Sequence, residues 1–497
     1  MTVTSAAGPA RSVTRPSVAG LGVPAVAAVA ATAAFLLVHD ALIDDSYITM
    51  GYARNVGLHL HWGLIPDQVA NSATSPLNVL LLGVVTAVVR DGVVAVGVLF
   101  VGSVVLATRW LQTLAAELGL SRWLPLLGIG LLLVNPLLLS TVGLEPYLCS
   151  ALLIGLLRYG AAARPAVFGV VAGLTVLARP DLGVVVAVAS LVLPGVRRRL
   201  HVAIATALAV VLPWCAFSWL ALGSVMPDTV VIKSGEGTWS GFGFSNGPLL
   251  YLDAVPAAAV MSFLPVVVGL LVLVGLLAFR VTRRWAPWQQ TIVAIGLGVV
   301  AHYAAYSALH TPPYHWYYAP MIIGGTLCAA LAAARLHGGF ALAAAGIAAG
   351  LAIGAAAVDL HNGVPWQRAV VQTNWASATQ YQELGTELAV VARGRTVESP
   401  GEIGTIAYYC ECAVVDKFSD RGRMIGALGE TEARSGRIGG FLLRLDHRNL
   451  DRTAAPRPVS ERLVYQPHQA PAGPLQWPVS HWADGPGRIV LESAPAR

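Results

Sequence analysis

Long apolar runs separated by short polar turns fill the chain up to about residue 360. Runs of this length read as membrane-spanning helices. They fall at roughly 18–38, 92–112, 123–141, 146–162, 166–179, 182–196, 200–220, 256–279, 289–309, 320–334 and 339–357. One further run, "PLNVLLLGVVTAVV" at 76–89, is too short for a span and predicts a re-entrant or interfacial helix. Beyond about residue 360 the pattern changes to that of a soluble domain. An amphipathic helix is expected around 368–393, then strands at "IGTIAYY" and "AVVD", then a Pro-rich, Arg-containing end. The expected fold is mainly α: about eleven spans (18–359, with a first outer loop at 39–91) and a small mixed α/β C-terminal domain (360–497). A short tail, 1–17, precedes them.

Composition agrees with the pattern. Hydrophobic residues make up 56% of the 497, charged residues 12%, and mean hydropathy is +0.66. A soluble domain carries about 25% charged residues. The net charge of +6 matters less than its distribution. With 76–89 left out of the spans, one side holds Arg11, Arg15, Arg109, Arg122, Arg158, Arg164, Arg197–Arg199, Arg280, Arg283, Arg284 and Arg335. The other side holds Arg54, Arg90, Arg179 and Lys233. The positive-inside rule then places the N-terminus in the cytoplasm and the C-terminal domain outside the cytoplasmic membrane. Counting 76–89 as a span would move the Arg197–Arg199 and Arg280–Arg284 clusters to the outside. No nucleic-acid partner is expected.

Four polar segments share the outer side with the tail. "LIDDSYITMGYARNVG" carries Asp44 and Asp45 just past the first span. The pair reads as solvated rim acids, or as a general base with an acidic partner or metal ligand. Repulsion and desolvation would raise one pKa toward useful basicity. Should the pair hold a cation, hard oxygen ligands suit Mg²⁺, Mn²⁺ or Ca²⁺. Glu145 stands between two apolar runs, where an acid usually faces a cavity or a cation. Arg179-Pro180-Asp181 interrupts another apolar stretch. Its guanidinium fits a phosphate bidentately or pairs with an acid. Asp228 and Lys233 lie in a further loop, where Lys233 is a phosphate ligand or an interfacial snorkelling lysine. "HTPPYHWYYAP" places His310, His315, Trp316, Tyr317 and Tyr318 together, either as an interfacial aromatic belt or as a sugar-stacking surface.

Of five cysteines, Cys149, Cys215 and Cys328 lie in apolar runs and read as small core residues. Cys410 and Cys412 are close enough for a reactive or bridged pair. No Cys/His spacing indicates a zinc site.

Together these segments resemble the GT-C superfamily of polyprenyl-phosphate-sugar glycosyltransferases, and most nearly its actinobacterial arabinofuranosyltransferase-like branch. The resemblance rests on Asp44-Asp45-Ser46-Tyr47-Ile48, Gly51-Tyr52-Ala53-Arg54-Asn55 and Thr74-Ser75-Pro76-Leu77-Asn78. It continues in Gly143-Leu144-Glu145, Ala178-Arg179-Pro180-Asp181, Pro227-Asp228-Thr229 with Lys233, and "GEIGTIAYYCECAVVDKFSD". Arg is missing before Tyr52-Ala53, and Asn78 stands where the family commonly has Trp.

The resemblance implies transfer of a sugar, arabinofuranose first, from a polyprenyl-phosphate donor to a cell-envelope glycan. Asp44 is the closer match to the family's base, with Asp45 as second acid. Arg179, Lys233 and Arg54 would bind the donor phosphate. Tyr47, Tyr52, Glu145, Asp181, Asp228, His315, Trp316 and Tyr317 would shape the site. Segment 76–89 would be the juxtamembrane helix beside the lipid-donor groove. A mannosyl or other lipid-linked-sugar transferase shares these features. A transporter would instead show internal repeats and polar groups at mid-bilayer.

Overall fold

The computed structural model describes residues 22–233, 237–239, 241–278, 285–467 and 475–494. The expected tail 1–17 and the cluster Arg280–Arg284 lie outside the described residues. Within the described residues each of the eleven apolar runs holds helix. The first is α1 (Gly22–Val38), followed in the first polar loop by α2 (Asp44–His59) and α3 (Pro76–Val89). Then come α4 (Gly92–Leu118), α5 (Leu124–Leu133), α6 (Pro136–Leu139), α7 (Pro146–Ala161) and α8 (Pro165–Ala178). They are followed by α9 (Gly183–Val192), α10 (Pro194–Arg197) and α11 (Leu200–Phe217), which runs on as a π-turn to Leu222. After α12 (Asp228–Lys233) and α13 (Gly247–Ala254) come α14 (Pro256–Ala278), α15 (Pro287–Ala308), α16 (Ala319–Ala333) and α17 (Gly338–His361).

Starts and stops follow local chemistry. Proline occupies the first helical position of α3, α7 and α8, where no amide hydrogen is needed. The Asp91 side chain caps α4 through Val94 N at 2.9 Å, and Gly119 ends it in the left-handed region. Among the described residues seven helices are long and apolar enough to cross a membrane, and five shorter apolar ones lie among them. Helix α16 is largely buried at the centre of the bundle. Helices α11 and α17 leave most of their apolar residues exposed, as lipid-facing helices do.

The bundle has two distinct ends. Ser121 N donates to Ala334 O at 3.1 Å, so the loops carrying Arg122 and Arg335 meet at one end. The loops carrying Arg164 and Arg197 meet where Gly195 packs on Ala163. At the opposite end α3 begins and finishes without crossing. Asn78 Nδ2 reaches Gly143 O at 3.5 Å near its start, and Gly92, just past its end, abuts the Tyr408 hydroxyl.

The C-terminal domain stands on that second end. It contains α18 (Ala378–Ala392), α19 (Gly404–Cys410), α20 (Arg421–Arg434) and α21 (Arg437–Asp446). Its strands are β1 (Val397–Glu398), β2 (Val414–Val415), β3 (Glu461–Pro467), β4 (Gln476–His481) and β5 (Gly485–Ser493). The sheet order is β2-β1-β3-β5-β4. The contacts of β1 with β2 and β3 are parallel, and those of β5 with β3 and β4 antiparallel. Leu463, Leu491, Ile489, Trp477 and Val479 bury one sheet face against Tyr381, Leu384 and Leu388 of α18. The same core takes in Tyr52, Trp62, Leu64 and Val79 of the first polar loop, so loop and domain fold against each other.

Two expectations are corrected. "IGTIAYY" is not a strand: residues from Gly404 form α19, because a distant carboxylate caps that helix. The amphipathic helix begins at Ala378, not near 368, fixed by a Ser377–Gln380 capping box. The Pro-rich end contains α20, α21 and three strands. Cys410 and Cys412 form a disulfide.

Candidate active site

The first wall is the start of α2. Acids suit the first turn of a helix, and Asp44 and Asp45 occupy it. Their side chains have different surroundings. Asp44 is buried, and its Oδ2 accepts from Ile403 N at 3.1 Å and Gly404 N at 2.9 Å. Its Oδ1 accepts from Thr405 N at 2.7 Å. The carboxylate thus closes the N-terminus of α19, an anion-binding position. Gly404 permits this approach, since a Cβ there would lie 2.0 Å from the Asp44 carbonyl oxygen.

Burial pushes Asp44 up to about 6, against its hydrogen bonds from Thr405 and Gly404 and with help from Asp45. Glu402 lies beside it. It accepts from Asn374 Nδ2 and Trp375 N, both at 3.0 Å, and from the Tyr381 hydroxyl. Burial, then the Asp44 charge, push Glu402 up to about 8.

Asp45 is only half-buried. The next residue, Ser46, donates to Val142 O at 3.1 Å, joining α2 to the turn before Glu145. Gly143 in that turn has φ +101°, and a Cβ there would meet Ser46 Cβ at 2.6 Å, so only glycine fits. A small cleft between α3, α4 and this turn is lined by Asn78, Leu82, Phe100, Gly143, Tyr147 and Leu148.

The second wall is built on Arg179, which follows α8. Nε and Nη2 hold Asp181 bidentately at 3.0 and 2.9 Å, and Nη1 reaches Glu145 at 3.1 Å. The remaining N–H groups point to Tyr306 OH at 3.3 Å and Trp316 O at 3.5 Å. All five guanidinium donors are therefore directed at protein acceptors. His302 Nε2 approaches Asp181 Oδ2 at 2.6 Å, and Arg179 stacks 5.5 Å from the Tyr317 ring centre. Of the two sequence alternatives for Arg179, phosphate ligand or salt bridge, this geometry is the salt bridge.

The third wall is aromatic and basic. Lys233 Nζ lies 4.1 Å from the Tyr314 ring centre, 5.7 Å from Trp316 and 6.0 Å from Phe418. Lys417 Nζ lies 5.0 Å from the same Phe418. These are the only two lysines in the sequence. Trp316 joins this wall to the second, its carbonyl facing Arg179 and its ring facing Lys233. His315 is buried edge-on to Trp316. Asp228, at the start of α12, is buried against Ser224 Oγ at 2.9 Å and His447 Nε2 at 3.3 Å.

The other expected site residues tether the domain. Arg54 Nη1 donates to Tyr408 O at 2.9 Å and Glu411 Oε1 at 2.8 Å, and its guanidinium covers the Tyr408 ring at 4.5 Å. Arg54 is thus engaged by the C-terminal domain and is not gathered at Lys233. Tyr47 packs on Tyr408 and Tyr409. Tyr52 is buried, donating to Ala70 O at 3.0 Å. Among the described residues no three His, Cys, Asp or Glu side chains come together as a metal cluster. Both Asp44 oxygens accept amide hydrogens, so Asp44 is not set out as a ligand for a resident Mg²⁺, Mn²⁺ or Ca²⁺.

Sequence reading missed Glu402, Lys417, His302 and Tyr306. The three polar rings inside the apolar run "VVAHYAAYSA" could have flagged the last pair. The scarcity of lysine could have flagged Lys417.

The fold is of the GT-C type, a polytopic helical bundle with an appended domain. No protein-family model and no curated protein sequence matches the chain. Among solved structures it is similar to ArnT from Cupriavidus metallidurans bound to undecaprenyl phosphate. That match has 11% identity and a TM-score of 0.59, over 94% of this chain and 97% of that one. It is also similar to the oligosaccharyltransferase AglB from Archaeoglobus fulgidus in complex with an inhibitory peptide and a dolichol-phosphate. There the identity is 11% and the TM-score 0.53, over 90% of this chain and 69% of that one.

Proposed function

We propose that this chain is a membrane glycosyltransferase that moves a sugar from a polyprenyl-phosphate donor to a cell-envelope glycan on the outer side of the cytoplasmic membrane. The observation that carries this reading is the meeting of the Asp45 turn, the Glu145–Arg179 network and the Lys233 aromatic cage on one rim. Fold neighbours that hold undecaprenyl phosphate and dolichol-phosphate support the lipid carrier. The Arg-rich loops at the opposite end support a cytoplasmic N-terminus and an extracytoplasmic C-terminal domain. Arabinofuranose is the preferred sugar on the motif resemblance; mannose is the alternative.

In this reading Asp45 is the base, because the Asp44 oxygens are committed to α19. The Asp45 carboxylate takes the acceptor hydroxyl proton as that oxygen bonds to the anomeric carbon. The bond from that carbon to the phosphate oxygen breaks, and polyprenyl phosphate leaves with the electron pair. Lys233 and Lys417 stabilise its charge as point cations, Lys233 half-buried against Tyr314 and Lys417 exposed beside Phe418. Tyr317, half-buried, offers a face for a sugar ring, while the buried Trp316 backs it. Arg179, Glu145 and Asp181 hold the turns in place. No step passes through a metal.

The test uses the purified chain in lipid nanodiscs with polyprenyl-phospho-arabinofuranose or polyprenyl-phospho-mannose and a glycan acceptor. Transfer from one donor, lost in Asp45→Asn, is expected. Folded protein that transfers from neither donor, or an Asp45→Asn variant with full turnover, would overturn the reading.

A further inference from the structure

Helix α21 is the most sharply two-faced segment of the C-terminal domain. Its sequence, RIGGFLLRLD, sets Ile438, Phe441, Leu442 and Leu445 at spacings of three, four and seven. At 3.6 residues per turn these four side chains fall on one face. None is covered by protein: their exposures are 78%, 58%, 56% and 46%. A soluble domain rarely leaves so many large apolar side chains together on one short helix. Arg437 and Arg444 lie together along one edge of this face, both exposed.

The position of α21 indicates what covers it. Trp219, at the end of the α11 span, donates from Nε1 to Leu445 O at 3.4 Å. Asn449 Nδ2 donates back to Trp219 O at 3.1 Å. Asp446 Oδ1 accepts from Val225 N at 3.0 Å and Met226 N at 3.3 Å. The helix therefore docks on the rim of α11, whose Leu212, Phe217 and Leu220 are 55%, 47% and 70% exposed, as a lipid-facing span should be. Val225 and Met226, both over a third exposed, carry the apolar surface from that span to α21.

We propose that α21 is an interfacial anchor. Its Ile438–Phe441–Leu442–Leu445 face lies in the membrane leaflet nearest the C-terminal domain, with Arg437 and Arg444 at lipid headgroup phosphates. An amphipathic helix with a basic edge binds an interface in this way. The anchor also fixes the loop beyond α11. His447, the residue after α21, contacts Asp228, which opens the α12 helix that ends in Lys233.

The test places a nitroxide at Leu442→Cys in the full chain, in a Cys215→Ser background, in nanodiscs of phosphatidylglycerol and phosphatidylcholine. Gly429→Cys on α20 is the solvent-facing control, since nothing lies near a Cβ there. The Leu442 label should be relaxed several-fold more by oxygen than by a water-soluble nickel chelate, and the Gly429 label should show the reverse. Two outcomes would overturn the anchor. One is a Leu442 label as accessible to nickel as the control. The other is dipolar broadening between labels, which would make the face a contact between two copies.

Discussion

Asp44 and Thr405 are 361 residues apart in the chain, yet Thr405 N donates to Asp44 Oδ1 at 2.7 Å. With Ile403 N and Gly404 N on the other oxygen, Asp44 fixes the C-terminal domain to the first polar loop. The neighbouring Asp45 has no part in those three hydrogen bonds. Asp44→Asn should therefore act on stability. Asn has one acceptor oxygen and no charge, and a lost charged hydrogen bond costs about 2 kcal/mol. The melting temperature in nanodiscs should drop more for Asp44→Asn than for Asp45→Asn. Turnover should fall roughly 100-fold or more for Asp45→Asn, the scale of a lost general base. An Asp44→Asn protein that melts like wild type but has no turnover would exchange the two roles.

The same junction should respond to pH. Glu402 is raised from an ordinary 4.5 to about 8, and Asp44 from 3.8 to about 6, burial being the first cause of each. Between the ordinary and raised values the native protein holds protons that an unfolded chain has released. The stabilisation is complete below the ordinary values and is lost as pH rises, through 6 for Asp44 and through 8 for Glu402. Glu402→Gln imitates the protonated acid among Asn374, the Trp375 amide, Tyr381 and Asp44. Its melting temperature should fall less than that of wild type between pH 5.5 and pH 9. Parallel curves for the two proteins would remove Glu402 as the cause.

Much of the bundle was readable in the sequence because membrane spans need long apolar runs and leave a strong signal. The short length of 76–89 and the placement of arginine separated α3 from the spans. The C-terminal domain was harder to read. Ile403, Thr405, Ile406, Tyr408 and Tyr409 favour a strand locally. Their helix depends on Asp44, which no local pattern connects to them. At the site, the sequence placed Glu145, Arg179 and Asp181 on one side but could not decide what the guanidinium faces. That depends on Tyr306 and His302, from a helix more than a hundred residues further on. The apolar stripe of α21 was legible in "RIGGFLLRLD", hidden by the Pro- and Arg-rich composition around it.

Arg179 and its acids should behave as a structural unit. Arg179→Lys keeps one charge but has three donors, where the guanidinium satisfies Asp181, Glu145, Tyr306 and the Trp316 carbonyl. A carboxylate left unpaired in a buried network costs roughly 3–5 kcal/mol. Thermal stability and the yield of monodisperse protein should both fall. If Arg179→Lys folds normally and only raises the donor KM, the guanidinium is a substrate ligand after all.

Lys233 and Lys417 should act together on the donor phosphate. They approach Phe418 from two parts of the chain, Lys233 from α12 and Lys417 from the turn after β2. That turn is held by Asp416, whose Oδ1 accepts from Phe418 N at 2.8 Å and Ser419 N at 2.7 Å. Those two backbone hydrogen bonds remain when the Lys417 charge is removed. Loss of one charge-assisted phosphate contact is worth about 1.5–3 kcal/mol, or roughly tenfold to a hundredfold in affinity. Lys417→Ala and Lys233→Ala should each weaken inhibition by undecaprenyl phosphate by at least tenfold. Lys417→Arg should restore it, because the charge is kept. The two losses should not simply add in the double variant, since both cations would face one dianion. Inhibition by undecaprenyl phosphate that is unchanged in Lys417→Ala would confine the phosphate site to Lys233.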